Sequence, residues 1–159
     1  LRLRGMAGDP RWRTREAVAM GIQKAIAEQG SNVLEKLENW ISDDDWLAMR
    51  AVAAGVAEPV VLRDERIAIQ ALELHRKIFA RIVEFRERRT PEFKILRQGL
   101  GYSLSVVVRA VPKRGFRYMR QLADSKDVDI LWILRENLKK SRLVKNFPHE
   151  VDSIEKLLK

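Results

Sequence analysis

A four-residue constellation frames this chain: Asp9, Trp12, Arg15 and Glu16 return as Asp129, Trp132, Arg135 and Glu136. Asp43 and Trp46 keep the same three-residue step from acid to indole. Recurrence at such distances is the mark of a repeat array, whose units bury their apolar faces only by stacking on one another. A chain of this kind makes surfaces. Its function is expected to lie in what the stacked units present rather than in one catalytic loop.

The segments between these marks read as helices. Asp9 before Pro10 has the pattern of a cap followed by a first helical residue, opening a helix to about Gln29 that Gly30 stops. Asn32 and Glu35 have capping-box spacing and open a second helix, with Val33, Leu34, Leu37 and Ile41 on one face. Asp43 or Asp44 is expected to cap a third, ending near Ala57 ahead of Pro59. From about Arg63 to Arg89, Ile67, Ala71, Leu74, Ile78, Ile82 and Phe85 recur at steps of three and four. Thr90 with Pro91 repeats the cap-then-proline signal, and Phe93 stands where Trp12 stands. That helix carries Leu96, Leu100, Leu104, Val107 and Val111 to Pro112, with Gly99 and Gly101 marking close packing or a bend. A basic helix over Lys113 to Ala123, a copy from Asp129 to Ser141 and a last helix after Pro148 complete the set. The expectation is an all-α chain of about eight helices in one domain, residues 1–159.

The marked helices begin at Asp9, Asp43, Thr90 and Asp129, spaced by 34, 47 and 39 residues, two helices to a step. A helix-starting Asp with Arg six residues later, as in Asp9 with Arg15 and Asp129 with Arg135, resembles the second helix of HEAT repeats. The resemblance implies an α-solenoid of antiparallel helix pairs, a ladder of hydrogen bonds between neighbouring repeats and second helices lining a concave face. The two middle copies have Met49 and Leu96 in place of the arginine. By their repeat phase, Trp12, Trp46, Phe93 and Trp132 are expected to fill the seams between repeats, and Asp9, Asp43 and Asp129 to cap helices. Trp40 lies outside that phase.

Composition narrows the functional classes. The 159 residues hold no cysteine, which excludes disulfides and thiolate zinc sites and makes a reducing cytoplasm the expected compartment. No apolar run approaches the roughly 20 residues needed to cross a bilayer. The chain begins at Leu1 with no helix before its first repeat element, as expected of a chain lacking its N-terminal part.

Charge points to an anionic partner. The net charge is +9, and it is uneven: Ser31 to Leu62 hold two basic and six acidic residues, whereas Pro112 to Lys159 hold twelve basic and seven acidic ones. Basic residues at helix C-termini offset the macrodipole, which accounts for Arg86, Arg88 and Arg89 and for Lys139, Lys140 and Arg142 without a ligand. The residues left after that discount are Arg11, Arg13, Lys94 and Arg97, near the starts of marked helices, and Lys113, Arg114, Arg117 and Arg120 on the short basic helix. These are the candidate anion-binding set, for a nucleic acid or an acidic protein.

Catalytic signals are sparse. His75 and His149 lack a second ligand at metal spacing, and His75 reads as a surface or groove residue. Ser103 and Ser105 have no base nearby in sequence, and Gly99 and Gly101 follow no strand. The run Asp43, Asp44, Asp45 lacks EF-hand spacing and reads as a helix start. No cofactor and no metal is expected. The runs DPRWRTREAVAM and DDDWLAMRAV also resemble bacterial DNA alkylation-repair glycosylases built of HEAT-like repeats. That resemblance implies duplex DNA on a basic concave face, with an aromatic shelf and a carboxylate, but none of those catalytic residues maps onto this chain. The leading expectation is a non-catalytic binding module; a glycosylase and a protein scaffold without a nucleic-acid role are the alternatives.

Overall fold

The computed structural model describes residues 2–159, which form nine α-helices and no strand. In chain order these are α1 (Trp12–Gln29), α2 (Ser31–Ser42), α3 (Trp46–Val56), α4 (Glu65–Glu84), α5 (Pro91–Ala110), α6 (Pro112–Ala123), α7 (Val128–Leu138), α8 (Ser141–Val144) and α9 (Pro148–Leu157). Single 3-10 turns cover Arg2–Met6 and Val61–Arg63. Among the described residues no helix is long and apolar enough to cross a membrane.

The helices that begin at the repeat marks pack in succession, α1 on α3, α3 on α5 and α5 on α7. A second set lies against them: α2 packs on α4, Phe79 of α4 meets Tyr118 of α6 edge-on at 5.9 Å, and α6 packs on α9. One continuous core runs through both sets, from Val18 and Ile22 through Met49, Leu74, Ile78, Leu96, Leu100 and Leu104 to Ile133, Leu134 and Ile154. Each of those side chains is withdrawn from water because its helix turns one apolar stripe toward its neighbours, and each contributes about 1.5–3 kcal/mol against leaving it exposed.

Local chemistry sets the helix ends, and it differs from the sequence reading in informative places. Gly30 stops α1 as expected, at φ 64°, a left-handed conformation that only glycine adopts without strain. Thr90 caps α5 by accepting from the Phe93 N–H at 3.1 Å. The aspartate caps, however, fall beside the repeat marks. Asp45, rather than Asp43 or Asp44, accepts from Leu47 and Ala48 at the start of α3, and Asp127, rather than Asp129, accepts from Asp129 and Ile130 at the start of α7. Helix α1 begins at Trp12, and Asp9 turns instead to the N–H and guanidinium of Arg11. No side chain caps α2, whose start is Gly30–Ser31 and not the Asn32 box.

Two further boundaries moved. The long helix starts at Glu65, capped by Asp64, and ends at Glu84, not near Arg89. Residues 85–90 leave helical geometry because Phe85 packs edge-on against Trp46, 5.6 Å between ring centres, and Thr90 precedes a proline, which disfavours helical backbone. The four-residue α8 was not expected at all. Its one turn gives no periodicity from which to read it.

Candidate anion-binding surface

The repeated acids are engaged in structural ion pairs. Asp129 sits in the first turn of α7 and takes Arg88 at 3.1 Å, while Arg97 Nε lies 3.1 Å away but out of line for a hydrogen bond. Arg88 also grips Asp127 with both terminal nitrogens, at 2.9 and 2.7 Å, a bidentate pair that holds the Asp127 carboxyl below the usual carboxylate range. Arg88 is therefore a strut between the α4–α5 connection and α7, and dipole compensation at a helix end does not describe it. The acidic run is likewise spent on structure: Asp43 and Asp45 pair with Arg4 at 3.3 and 3.1 Å, and Asp44 pairs with Arg81. Among the described residues no cluster of His, Cys, Asp or Glu could hold a metal ion.

The indoles divide. Trp46 is half-buried in an aromatic cluster with Phe85 and Phe93, and Trp132 is half-buried beneath Arg97, whose guanidinium stands 4.0 Å from the ring centre. Gly101 on α5 leaves room for Trp132 and Glu136, so the glycine serves close packing. Trp12 departs from expectation. It is 62% exposed, and among the described residues its ring has only Arg13 nearby as a stacking cation, with a guanidinium-to-ring distance of 5.7 Å. Trp40, outside the repeat phase, is buried, with Arg4 above its ring at 5.8 Å. The arginines of the tetrad do not form a ladder of equivalent bonds. Arg15 donates to the Asp9 and Pro10 carbonyls of its own approach segment, whereas Arg135 reaches the Leu158 carbonyl at 3.5 Å.

His75 and Ser103 correct the sequence reading most clearly. His75 is fully buried, not a surface residue, and Ser103 has a base within reach: its Oγ lies 2.8 Å from His75 Nε2. Because the Ala71 carbonyl, 2.9 Å from Nδ1, can only accept, Nδ1 carries the proton and Nε2 accepts from the serine hydroxyl. Burial lowers the His75 pKa to about 4, so the ring is neutral at pH 7. With both side chains sealed in the α4–α5 contact, no substrate reaches the pair. It satisfies buried polar atoms.

The candidate cations fall into two places. Arg11 and Arg13 stand at the start of α1 and Lys94 and Arg97 at the start of α5, with α3 between those two helices. Lys113, Arg114, Arg117 and Arg120 lie on α6, in the other set of helices. Arg11 is held by Asp9 at 2.8 Å, Arg97 is committed to Trp132 and Asp129, and Arg120 pairs with Glu150. Arg13, Lys94, Lys113, Arg114 and Arg117 are exposed, and among the described residues none has a carboxylate within ion-pair distance. Arg114 and Arg117 border an open groove of about 360 Å³ between α4 and α6, along with Gln70, Glu73 and Arg76. The buried Oε1 of Gln70 has no hydrogen-bond partner.

Position within the helices decides how these cations are to be understood. Arg13 and Lys94 are in the first turns of α1 and α5, and Lys113 and Arg114 are in the first turn of α6, which contains no acidic residue. The N-terminal end of a helix carries a partial positive charge, so cations there are disfavoured by roughly the 0.3–1 kcal/mol that anions gain. Helix stability does not account for them.

No family model matches the chain, nor does any curated protein or solved structure.

Three arginines outside the candidate set, Arg63, Arg109 and Arg142, also gather around one cleft. They lie in three separate segments, and no spacing in the sequence joins them. Dipole compensation at the end of α7 does not describe Arg142, because α7 stops at Leu138 and Arg142 reaches back to Ser105 of α5.

Proposed function

We propose that the chain is a non-catalytic helical-repeat module, a HEAT-like α-solenoid, that presents a basic surface to an acidic macromolecule. The observation that carries this reading is the set of unpaired cations in helix first turns, above all Lys113 and Arg114. Selection for stability alone would remove them, whereas a polyanion would neutralise both the side chains and the free N–H groups of the turn. The net charge of +9 adds a long-range field that steers such a partner. Succession of α1, α3, α5 and α7, with α2, α4 and α6 against them, supports the solenoid part of the reading. A nucleic acid is the leading partner, because Lys113, Arg114 and Arg117 are exposed and, among the described residues, unpaired within little more than one turn of α6, close enough together to contact successive phosphates. An acidic protein face is the other.

The test is affinity for duplex DNA, single-stranded RNA and polyglutamate, each titrated over a range of salt. Binding to a nucleic acid that weakens linearly in log–log coordinates supports the leading reading. Preference for polyglutamate transfers the site to a protein partner. Absence of binding to all three at low salt removes the proposal.

A further inference from the structure

Arg63 ends the turn Val61–Arg63, Arg109 lies in the last turn of α5, and Arg142 belongs to α8. They border a cleft of about 380 Å³ whose remaining wall is apolar, including Pro59, Leu62 and Val106. No carboxylate lines this cleft, and among the described residues the guanidiniums of Arg63 and Arg109 have neither an ion-pair nor a hydrogen-bond partner. Arg142 is fixed in place. It donates to Ser105 Oγ at 2.7 Å and to the Tyr102 hydroxyl at 3.0 Å, and its guanidinium stacks 4.5 Å from the Tyr102 ring centre. Ser105 Oγ can accept because its own proton goes to the Tyr102 carbonyl at 2.8 Å.

Like charges gathered without a counter-charge are unfavourable unless an anion joins them. Dipole compensation at the end of α5 explains one arginine, Arg109. It does not explain Arg142, whose helix has a single turn, or Arg63. Guanidinium forks match the oxygens of phosphate, and a dianionic phosphate balances more of this charge than one carboxylate can. The volume is that of a small-molecule site, within the roughly 300–1,000 Å³ such sites occupy, and the Leu62 and Val106 wall offers a surface for an organic body.

We propose that the cleft bordered by Arg63, Arg109 and Arg142 binds a small organic phosphate of about nucleotide size, the phosphate between the arginines and the organic body on the apolar wall. The site shares no residue with the cations of α6, so it stands or falls apart from the macromolecular reading. Calorimetry with adenosine 5′-monophosphate, inorganic phosphate and adenosine is the test, on the wild type, Arg63→Gln, Arg109→Gln, their double variant and a triple Lys113→Gln, Arg114→Gln, Arg117→Gln variant.

The expected result is saturable one-to-one binding of the monophosphate, weaker binding of inorganic phosphate and none of adenosine. Each single variant weakens the monophosphate by about tenfold, in keeping with loss of a charged hydrogen bond, and the double variant abolishes binding. The triple α6 variant retains it. Arg63 and Arg109 are both exposed, so circular dichroism should show unchanged folding. The proposal is overturned if neither the monophosphate nor inorganic phosphate binds at low salt, if the double variant binds as the wild type does, or if binding is lost in the α6 variant instead. It is also overturned if Arg63→Gln and Arg109→Gln weaken only duplex DNA, which would make the cleft a contact for a polymer backbone.

Discussion

The two full copies of the Asp–Trp–Arg–Glu tetrad have the same residues at the same spacing and do different work. At the first, Asp9 restrains Arg11, Trp12 stands in water, and Glu16 reaches forward to Arg50 of α3. At the second, Asp129 receives Arg88, Trp132 lies beneath Arg97 of α5, and Glu136 turns to Lys139 at the C-cap of its own helix. From the indole onward the motif fixes the direction in which each side chain leaves its helix, but Asp9 precedes α1 whereas Asp129 lies inside α7. The neighbour fixes its role. Gly101 of α5 opens space for the Trp132 indole on α7, whereas Trp12 at the start of α1 stays 62% exposed although α2, α3 and the Arg2–Met6 turn all pack on that helix.

The seams differ in the same sense. Between α5 and α7, buried Asn137 donates to the Leu100 carbonyl at 2.9 Å and accepts the Ser105 N–H at 2.7 Å, a polar rivet inside an apolar contact. Between α1 and α3 the close approach is apolar: a Cβ placed on Gly55 would lie 2.5 Å from a methyl carbon of Ile22. The α5–α7 seam thus has a buried hydrogen-bonded centre, whereas the hydrogen bonds of the α1–α3 seam, from Arg50 to Glu16 and Arg15 and from Gln23 to Ala54, are only part-buried.

Acidification gives the largest expected effect and belongs to neither tetrad. The pKa of His75 is about 4 when folded and near its ordinary 6.5 when unfolded, so the unfolded chain binds more protons between those values. Stability is complete above pH 6.5, declines by about 3 kcal/mol as pH falls to 4, and His75 adds no further loss below that. Urea unfolding of the wild type and His75→Gln across this range checks it, and comparison of the two ends belongs at pH 7, where the ring is neutral throughout.

At that pH, Asp127→Ala removes the α7 cap and the bidentate partner of Arg88, with an expected loss of about 3 kcal/mol. Asp9→Ala is expected to leave the urea midpoint unchanged. Equal effects at the two sites would break the comparison. Asn137→Ala is expected to cost about 2 kcal/mol through the lost rivet, measured in the same way. The smallest contrast is between the indoles: Trp132→Ala loses about 2 kcal/mol of packing, and Trp12→Ala stays within about 0.5 kcal/mol. A destabilised Trp12→Ala would mean that the exposed ring supports the fold after all.

Much of the architecture was legible because its causes are local. Gly30, Thr90 with Pro91, Pro112 and Pro148 act through the backbone of their own neighbourhood, and helical periodicity located every α-helix except α8. The repeated aromatics were legible in part, since Trp46, Phe93 and Trp132 pack against the core as their phase implies and Trp12 does not, but the roles of the repeated acids were not. Asp127 and Asp129 are both joined to Arg88, some 40 residues away in sequence, and whether a tryptophan is covered depends on the elements packed beside it. His75 looked exposed because a histidine in an amphipathic helix gives no sign of a serine 28 residues on that can satisfy it. Of the candidate cations, the sequence distinguished basic from acidic stretches but not free from paired residues. Arg97 and Arg120 are engaged, while Arg63 and Arg109, outside the set, are free.

The most direct measurement is the salt dependence of duplex DNA binding by the wild type and by the triple Lys113→Gln, Arg114→Gln, Arg117→Gln variant. The expected result is weaker binding by the variant and a log–log slope shallower by about one for each cation that contacts phosphate. Identical affinities and slopes for the two proteins, or no binding at low salt, would contradict the account.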